Sequence, residues 1–245
     1  MNVTKPRVLI FSLAYFPLVG GAEVAIKEIT SRLDGVFDFD LITLRFDRSH
    51  ARHEVMGDVS VYRIDGNKIV YPIKAALLAL KLHRKKKYKV CWSIMAAYAG
   101  FAALFFKLFN PRIPMFLTLQ EGDSEKHILR RVGIFYPLWR LIFKKADYIQ
   151  AISNYLADFA RRHGAVCPVE VVPNGVDLSK FQIPNSKLQI NPKVQNQNIK
   201  TIVTTSRLVY KNGIDILIRA VAEFKRCRAL SFRLQVVGDG PDRLK

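Results

Sequence analysis

The sequence predicts an α/β protein on a doubly wound parallel sheet, followed by a second unit of the same kind that is only begun. Three observations predict it. Short apolar runs alternate with helical periodicities along most of the 245 residues. A double glycine, Gly20-Gly21, separates the first such run from the first helix. After residue 181 the composition turns polar and Asn/Gln-rich, and a fresh strand-helix-strand pattern follows.

The elements follow in order. Residues 8–13 are apolar on both faces, as in a buried parallel strand. Ala22, Ala25, Ile26, Ile29 and Leu33 then recur at helical spacing, so one helix face packs back on that strand. Strand, glycine turn and helix form the first unit of a doubly wound fold, whose ligands sit at the carboxyl ends of strands. Glycine allows close approach to the backbone, and a helix N-terminus offers unpaired N–H groups to an anion. The residues alone leave two accounts of Gly20-Gly21 standing, a ligand seat and a tight turn. Further strand-like runs fall at 37–44, 59–64, 89–94, 113–120, 147–153 and 169–173. Helical patterns lie at 73–87, 97–109, 134–145 and 154–163. Residues 182–198 read as a linker between a domain at 1–181 and the start of another at 199–245. In that second piece a strand at 200–206, a helix at 213–227 and a strand at 231–238 lead to a GDGP turn. It is too short to enclose a core of its own, so the chain reads as truncated in its second domain.

Composition narrows the partners. Lys plus Arg number 39 against 20 Asp plus Glu, a formal charge of +19 that favours polyanions, phosphorylated substrates or an anionic membrane surface. Cys91, Cys167 and Cys227 lie far apart without metal-ligand spacing, which suits a reducing cytosol. His50 and His53 are the only close histidine pair, in what reads as a polar loop. The uncharged stretch at 90–106 sits at the lower edge of a membrane span, and a strand followed by a core-facing helix accounts for it better. Residues 81–89 are crowded with Lys and Arg, and residues 130–146 interleave cations with large aromatics. Both patterns suit a segment resting on an anionic bilayer, and a helix with its aromatics in the core fits the second equally.

Five stretches carry a resemblance: FPLVGGAE (16–23), ADYIQAIS (146–153), VVPNGVDLSKF (171–181), SRLVYKNGIDILIRA (206–220) and VVGDGP (236–241). Each is weak alone; five in order, at strand ends and helix starts, are not. The chain resembles the family-4 type of glycosyltransferases with the two-domain GT-B fold, over nearly its whole length. The resemblance implies an acceptor-side first domain and a second domain for a nucleotide-sugar donor. It implies retention of anomeric configuration and no bound metal or other cofactor. The expected acceptor is lipid-linked or a polysaccharide, at the cytoplasmic face of a membrane, with no nucleic acid partner.

Site residues follow from the same resemblance. With no metal, charge on the departing diphosphate falls to cations and helix N-termini. Arg207 matches the family's arginine; its lysine is expected at Lys211, because Asn212 occupies the usual position. Gly20, Gly21, Asn174 and Gly240 lie in the turns that border the ligands. Where many relatives carry a histidine this chain has Gln120, suited to a sugar hydroxyl, followed by Glu121 and Asp123, either suited to orienting the acceptor. The donor domain's pair of closely spaced glutamates is absent from 199–245, so this chain alone is expected to be incompetent. Two rivals remain. One is a non-catalytic basic module for nucleic acid or anionic membrane, although no helix-turn-helix, zinc or stacking motif is visible. The other is a dinucleotide oxidoreductase, which the first turn opposes by lacking G-x-G-x-x-G.

Overall fold

A computed structural model of the chain describes residues 5–181, 200–227 and 232–243. They divide into two compact units, one ending at Val176 and the other beginning at Asp177. The linker expected at 182–198 lies outside the described residues.

The first unit runs β1 (Arg7–Phe11), α1 (Gly21–Arg32), β2 (Asp38–Leu44), β3 (His53–Met56), β4 (Val59–Ile64), α2 (Tyr71–Lys86) and β5 (Val90–Ile94). It continues α3 (Tyr98–Phe109), β6 (Met115–Leu119), α4 (Glu125–Val132), α5 (Tyr136–Lys145), β7 (Tyr148–Ala151), α6 (Asn154–Arg162) and β8 (Val169–Val171). The strands form one sheet in the order β3-β4-β2-β1-β5-β6-β7-β8. Every pairing is parallel except β3 with β4. From β1 the chain first builds outward through β2 and then returns to β5 on the other side, a switch point of the kind that opens a ligand crevice.

Period-two alternation sends β1 into two cores. Leu9 and Phe11 join Tyr71, Phe106, Trp139 and Phe143 beneath α2, α3 and α5. Val8 and Ile10 join Ala22 and Ile26 of α1 on the opposite face. The stretch at 90–106 divides into β5 and α3, and no helix among the described residues is long and apolar enough to cross a membrane.

Two elements escaped the sequence reading. His53 does not lie in a polar loop: it opens β3, a four-residue edge strand, and stacks on Tyr62 at 4.4 Å. Alternating exposure over four residues is too short a signal, and the hairpin rests on Gly57 at φ 60°. Helix α4 is only eight residues long, and its apolar side, Ile128, Leu129 and Val132, is too short a stripe to mark a helix; Ser124 starts it by accepting the His127 N–H at 3.4 Å. The second unit pairs β9 (Lys200–Thr205) with β10 (Phe232–Val237) in parallel around α7 (Ile214–Cys227).

Candidate functional site

The crevice side of the first unit is built from the loops after β1, β5 and β6. After β1, carbonyl groups are claimed one by one. The Tyr71 hydroxyl donates to the carbonyls of Ser12 (3.1 Å) and Ile42 (2.8 Å), and the Thr43 hydroxyl to that of Leu13 (3.0 Å). The buried Arg63 guanidinium donates to the Phe16 carbonyl at 2.8 Å. The loop therefore reaches Gly20 with its path fixed. Gly20 is the N-cap of α1 at φ −145°, and neither Gly20 nor Gly21 has positive φ. The backbone thus makes no left-handed turn here, which removes the usual demand for glycine. Around Gly21 there is nothing within 4 Å of a would-be Cβ. Gly20 differs: a Cβ would lie 2.5 Å from a Glu23 carboxylate oxygen, so the α1 N-terminus carries an anion of its own.

After β5, Met95 is held at φ 68°, a conformation that costs a non-glycine residue about 1–3 kcal/mol. Its neighbours explain why it persists. The Met95 N–H donates to the Thr118 carbonyl at 2.8 Å, Ala96 N–H donates to Glu121 Oε1 at 2.6 Å, and Trp139 Nε1 donates to the Ala96 carbonyl at 2.7 Å. The same turn thereby buries the Glu121 carboxyl. Burial pushes this group up to about 7, against the Ala96 N–H and the more distant charge of Arg131, and its Oε2 has no hydrogen-bond partner. Beside it opens a cavity of about 490 Å³ lined by Ala97, Phe101, Ile128, Leu138 and Trp139.

Gln120 and Asn174, far apart in sequence, are brought together: Asn174 Nδ2 donates to Gln120 Oε1 at 3.4 Å. The segment holding Asn174 is not the turn expected from Asn-Gly chemistry. Neither Asn174 nor Gly175 has positive φ, and residues 172–177 run without a turn.

In the second unit the loop after β9 lies flat against the turn after β10. Ser206 N–H donates to the Val237 carbonyl (3.0 Å), Leu208 N–H to that of Asp239 (2.9 Å), and Asp242 N–H to that of Leu208 (3.2 Å). This contact explains the glycines. A Cβ on Gly238 would stand 1.8 Å from the Ser206 carbonyl oxygen, and one on Gly240 would stand 2.2 Å from that of Leu208. Gly240 thereby lies against Leu208, the residue after Arg207, and Arg207 is exposed. Asn212, which stands where the resemblance expects lysine, donates through Nδ2 to the Arg207 carbonyl at 2.7 Å and to Ser206 Oγ at 3.0 Å. It clasps the loop that carries Arg207. Lys211 is exposed on the single 3-10 turn Tyr210–Asn212, just before α7.

Residues 19–180 match the model for Glycosyltransferase Family 4. The chain belongs to that family. An uncharacterized glycosyltransferase of Methanocaldococcus jannaschii is 25% identical over 98% of this chain and 66% of its own length. A phosphatidylinositol N-acetylglucosaminyltransferase component from Arabidopsis thaliana is 27% identical over 98% of this chain and 54% of its own. Among solved structures, sucrose-phosphate synthase of Thermosynechococcus elongatus superposes with a TM-score of 0.71 at 15% identity, over 98% of this chain and 64% of that one. The fold is thus GT-B, and the chain spans less than two thirds of the length of these three proteins.

In this family-4 chain the basic cluster is not one uniform surface. Lys86 is taken up internally, donating to Asp40 Oδ1 (2.7 Å) and the Tyr62 hydroxyl (2.8 Å), while Lys87 ends α2 in the left-handed region. Lys81, Arg84 and Lys85 remain on the solvent side of α2, as do its apolar residues Ile73 and Leu77. The aromatics at 130–146 divide likewise: Trp139 and Phe143 are core, whereas Phe135 is exposed beside Ile134.

Proposed function

We propose that the protein transfers a sugar from a nucleotide-sugar donor to a lipid-linked or polysaccharide acceptor, with retention of anomeric configuration. The first unit would take the acceptor and the second the donor. The observation that carries this is the seat in the second unit, where Asn212 and two obligatory glycines hold Arg207 beside the Gly238–Gly240 turn. A cation carried on a held loop next to bare backbone suits a departing diphosphate in a reaction that uses no metal. Lys211 would add a second charge from the neighbouring turn.

In the first unit, Gln120, Glu121 and Asn174 would hydrogen-bond the acceptor. Glu23 makes the Gly20-Gly21 corner better suited to sugar hydroxyls than to phosphate. A lipid acceptor is supported by the exposed apolar and basic residues of α2. The protein would then work at the cytoplasmic face of a membrane without spanning it, and nucleic acid would have no part in its work.

The test mixes the full-length protein, donor-domain glutamates included, with UDP-, GDP- and ADP-sugars and acceptor lipid in anionic vesicles. Nucleoside diphosphate release that needs both substrates, with an anomer matching the donor, is expected. Salt-dependent binding to duplex DNA, with no response to any donor, would replace this reading with the basic binding module.

A further inference from the structure

We propose that the cavity beside the β5 and β6 ends is a seat for an uncharged amphiphile. Its hydroxyl would meet the unpartnered oxygen of Glu121, and its hydrocarbon would lie along the apolar wall. The proposal rests on the acceptor reading only for its place in catalysis, because occupancy of the cavity requires no donor.

Four observations carry it. The volume, about 490 Å³, falls within the range of small-molecule sites. Glu121 Oε2 is buried at the cavity without a partner, a cost that a ligand hydroxyl would remove. The one cation of the lining, Arg131, already faces Asp123 at 3.6 Å and lies over the Tyr98 ring at 5.9 Å. The wall therefore offers a phosphate no unopposed charge, and the adjacent carboxyl would repel one. The mouth is ringed by apolar side chains that face water: Ile69 (78% exposed), Ile73 and Phe135 (63%). Leu77 continues the rim one helical turn along α2, and Ile134 precedes Phe135.

The chemistry of Glu121 fits the head group. Burial raises this carboxyl toward its protonated form, and either form can meet a hydroxyl, one by donating to it and the other by accepting from it. A hydroxyl serves either form; an amine or a phosphate serves one. The carboxyl grips the head in the buried part of the cavity, and the chain leaves through the apolar mouth, as it would in a molecule entering from a bilayer.

The test is calorimetric titration of the protein with n-octyl β-D-glucoside below its micelle-forming concentration, against n-octyl phosphate. Saturable binding of the glucoside is expected, at least about tenfold tighter than the phosphate. Glu121→Leu and the cavity-filling Ala97→Leu should each weaken it by about tenfold or more, the scale of one hydrogen bond to a carboxylate. Melting temperatures establish that both variants fold, and if one does not, the head-group comparison on the parent decides alone. Absence of saturable glucoside binding, phosphate binding as tight or tighter, or unchanged affinity in a folded Glu121→Leu overturns the proposal. Binding without sugar transfer from any donor by the full-length protein would overturn the transferase reading and leave this one standing; transfer without cavity binding would do the reverse.

Discussion

The two units fix their candidate site groups by opposite means. In the first, Glu121 is set by tertiary burial: α5 and the β5 turn close over it, and the surroundings change its acidity. In the second, the backbone of Arg207 is held by the Asn212 side chain, in a loop packed so closely on the next turn that Gly238 and Gly240 leave no room for a Cβ. The guanidinium itself stays in solvent. Burial makes a group reactive at the expense of folding stability, whereas backbone clasping positions a charge without removing it from water. Perturbing the first site should therefore change how stability depends on pH, and perturbing the second should change ligand binding or local folding with no pH signature.

The glycines break this comparison most severely. Gly238→Val would drive a side chain into the Ser206 carbonyl, so we expect loss of the β9–β10 contact at a cost above about 3 kcal/mol. Hydrogen exchange should report it in residues 200–243 and spare the first unit. Gly21→Val meets nothing within 4 Å and should cost no more than about 1 kcal/mol by thermal melting, while still slowing transfer through the blocked corner. Equal losses of stability and activity there would restore the turn-only account.

The pH arm sharpens the same contrast. Glu121 has its folded value raised from 4.5 to about 7 by burial, so the unfolded chain ionises first as pH rises. Stability attributable to this group is complete below pH 4.5 and is lost progressively up to about 7, at no more than about 1.4 kcal/mol per pH unit. Glu121→Gln should flatten the stability profile across that window; an unchanged slope in denaturant titrations would show that the carboxyl is hydrated.

The smallest effect belongs to the surface. Replacing Lys81, Arg84 and Lys85 with Gln should weaken sedimentation with anionic vesicles by about 1 kcal/mol per charge. Adding Lys86→Gln should also lower stability, because that ammonium pairs with the buried Asp40. If Lys86→Gln acted only on vesicle binding, its internal assignment would be wrong.

Much of the fold was legible because its signal is local. Apolar runs of parallel strands and the 3.6-residue stripes of α1, α2 and α6 survive without any tertiary context. What failed were elements too short to show a period, β3 and α4, and groups whose character comes from distant partners. Nothing in QEGD announces that Glu121 is buried, since its burial comes from Trp139 and Ala96. Nothing in IMAA announces the conformation of Met95. The departure at Asn212 was visible as a missing lysine, but its part in clasping the Arg207 loop needed coordinates. Gly240 was legible as a turn after a strand, but its close packing on the Leu208 carbonyl needed coordinates.

The central claim, that Arg207 is held ready for a diphosphate, is tested most directly by titrating UDP and GDP into the protein and into Arg207→Ala. Loss of one charge-assisted contact should weaken the bound nucleotide by at least about tenfold with the melting temperature unchanged. Equal nucleotide affinity in a folded Arg207→Ala, or no nucleotide binding by the parent, would contradict it.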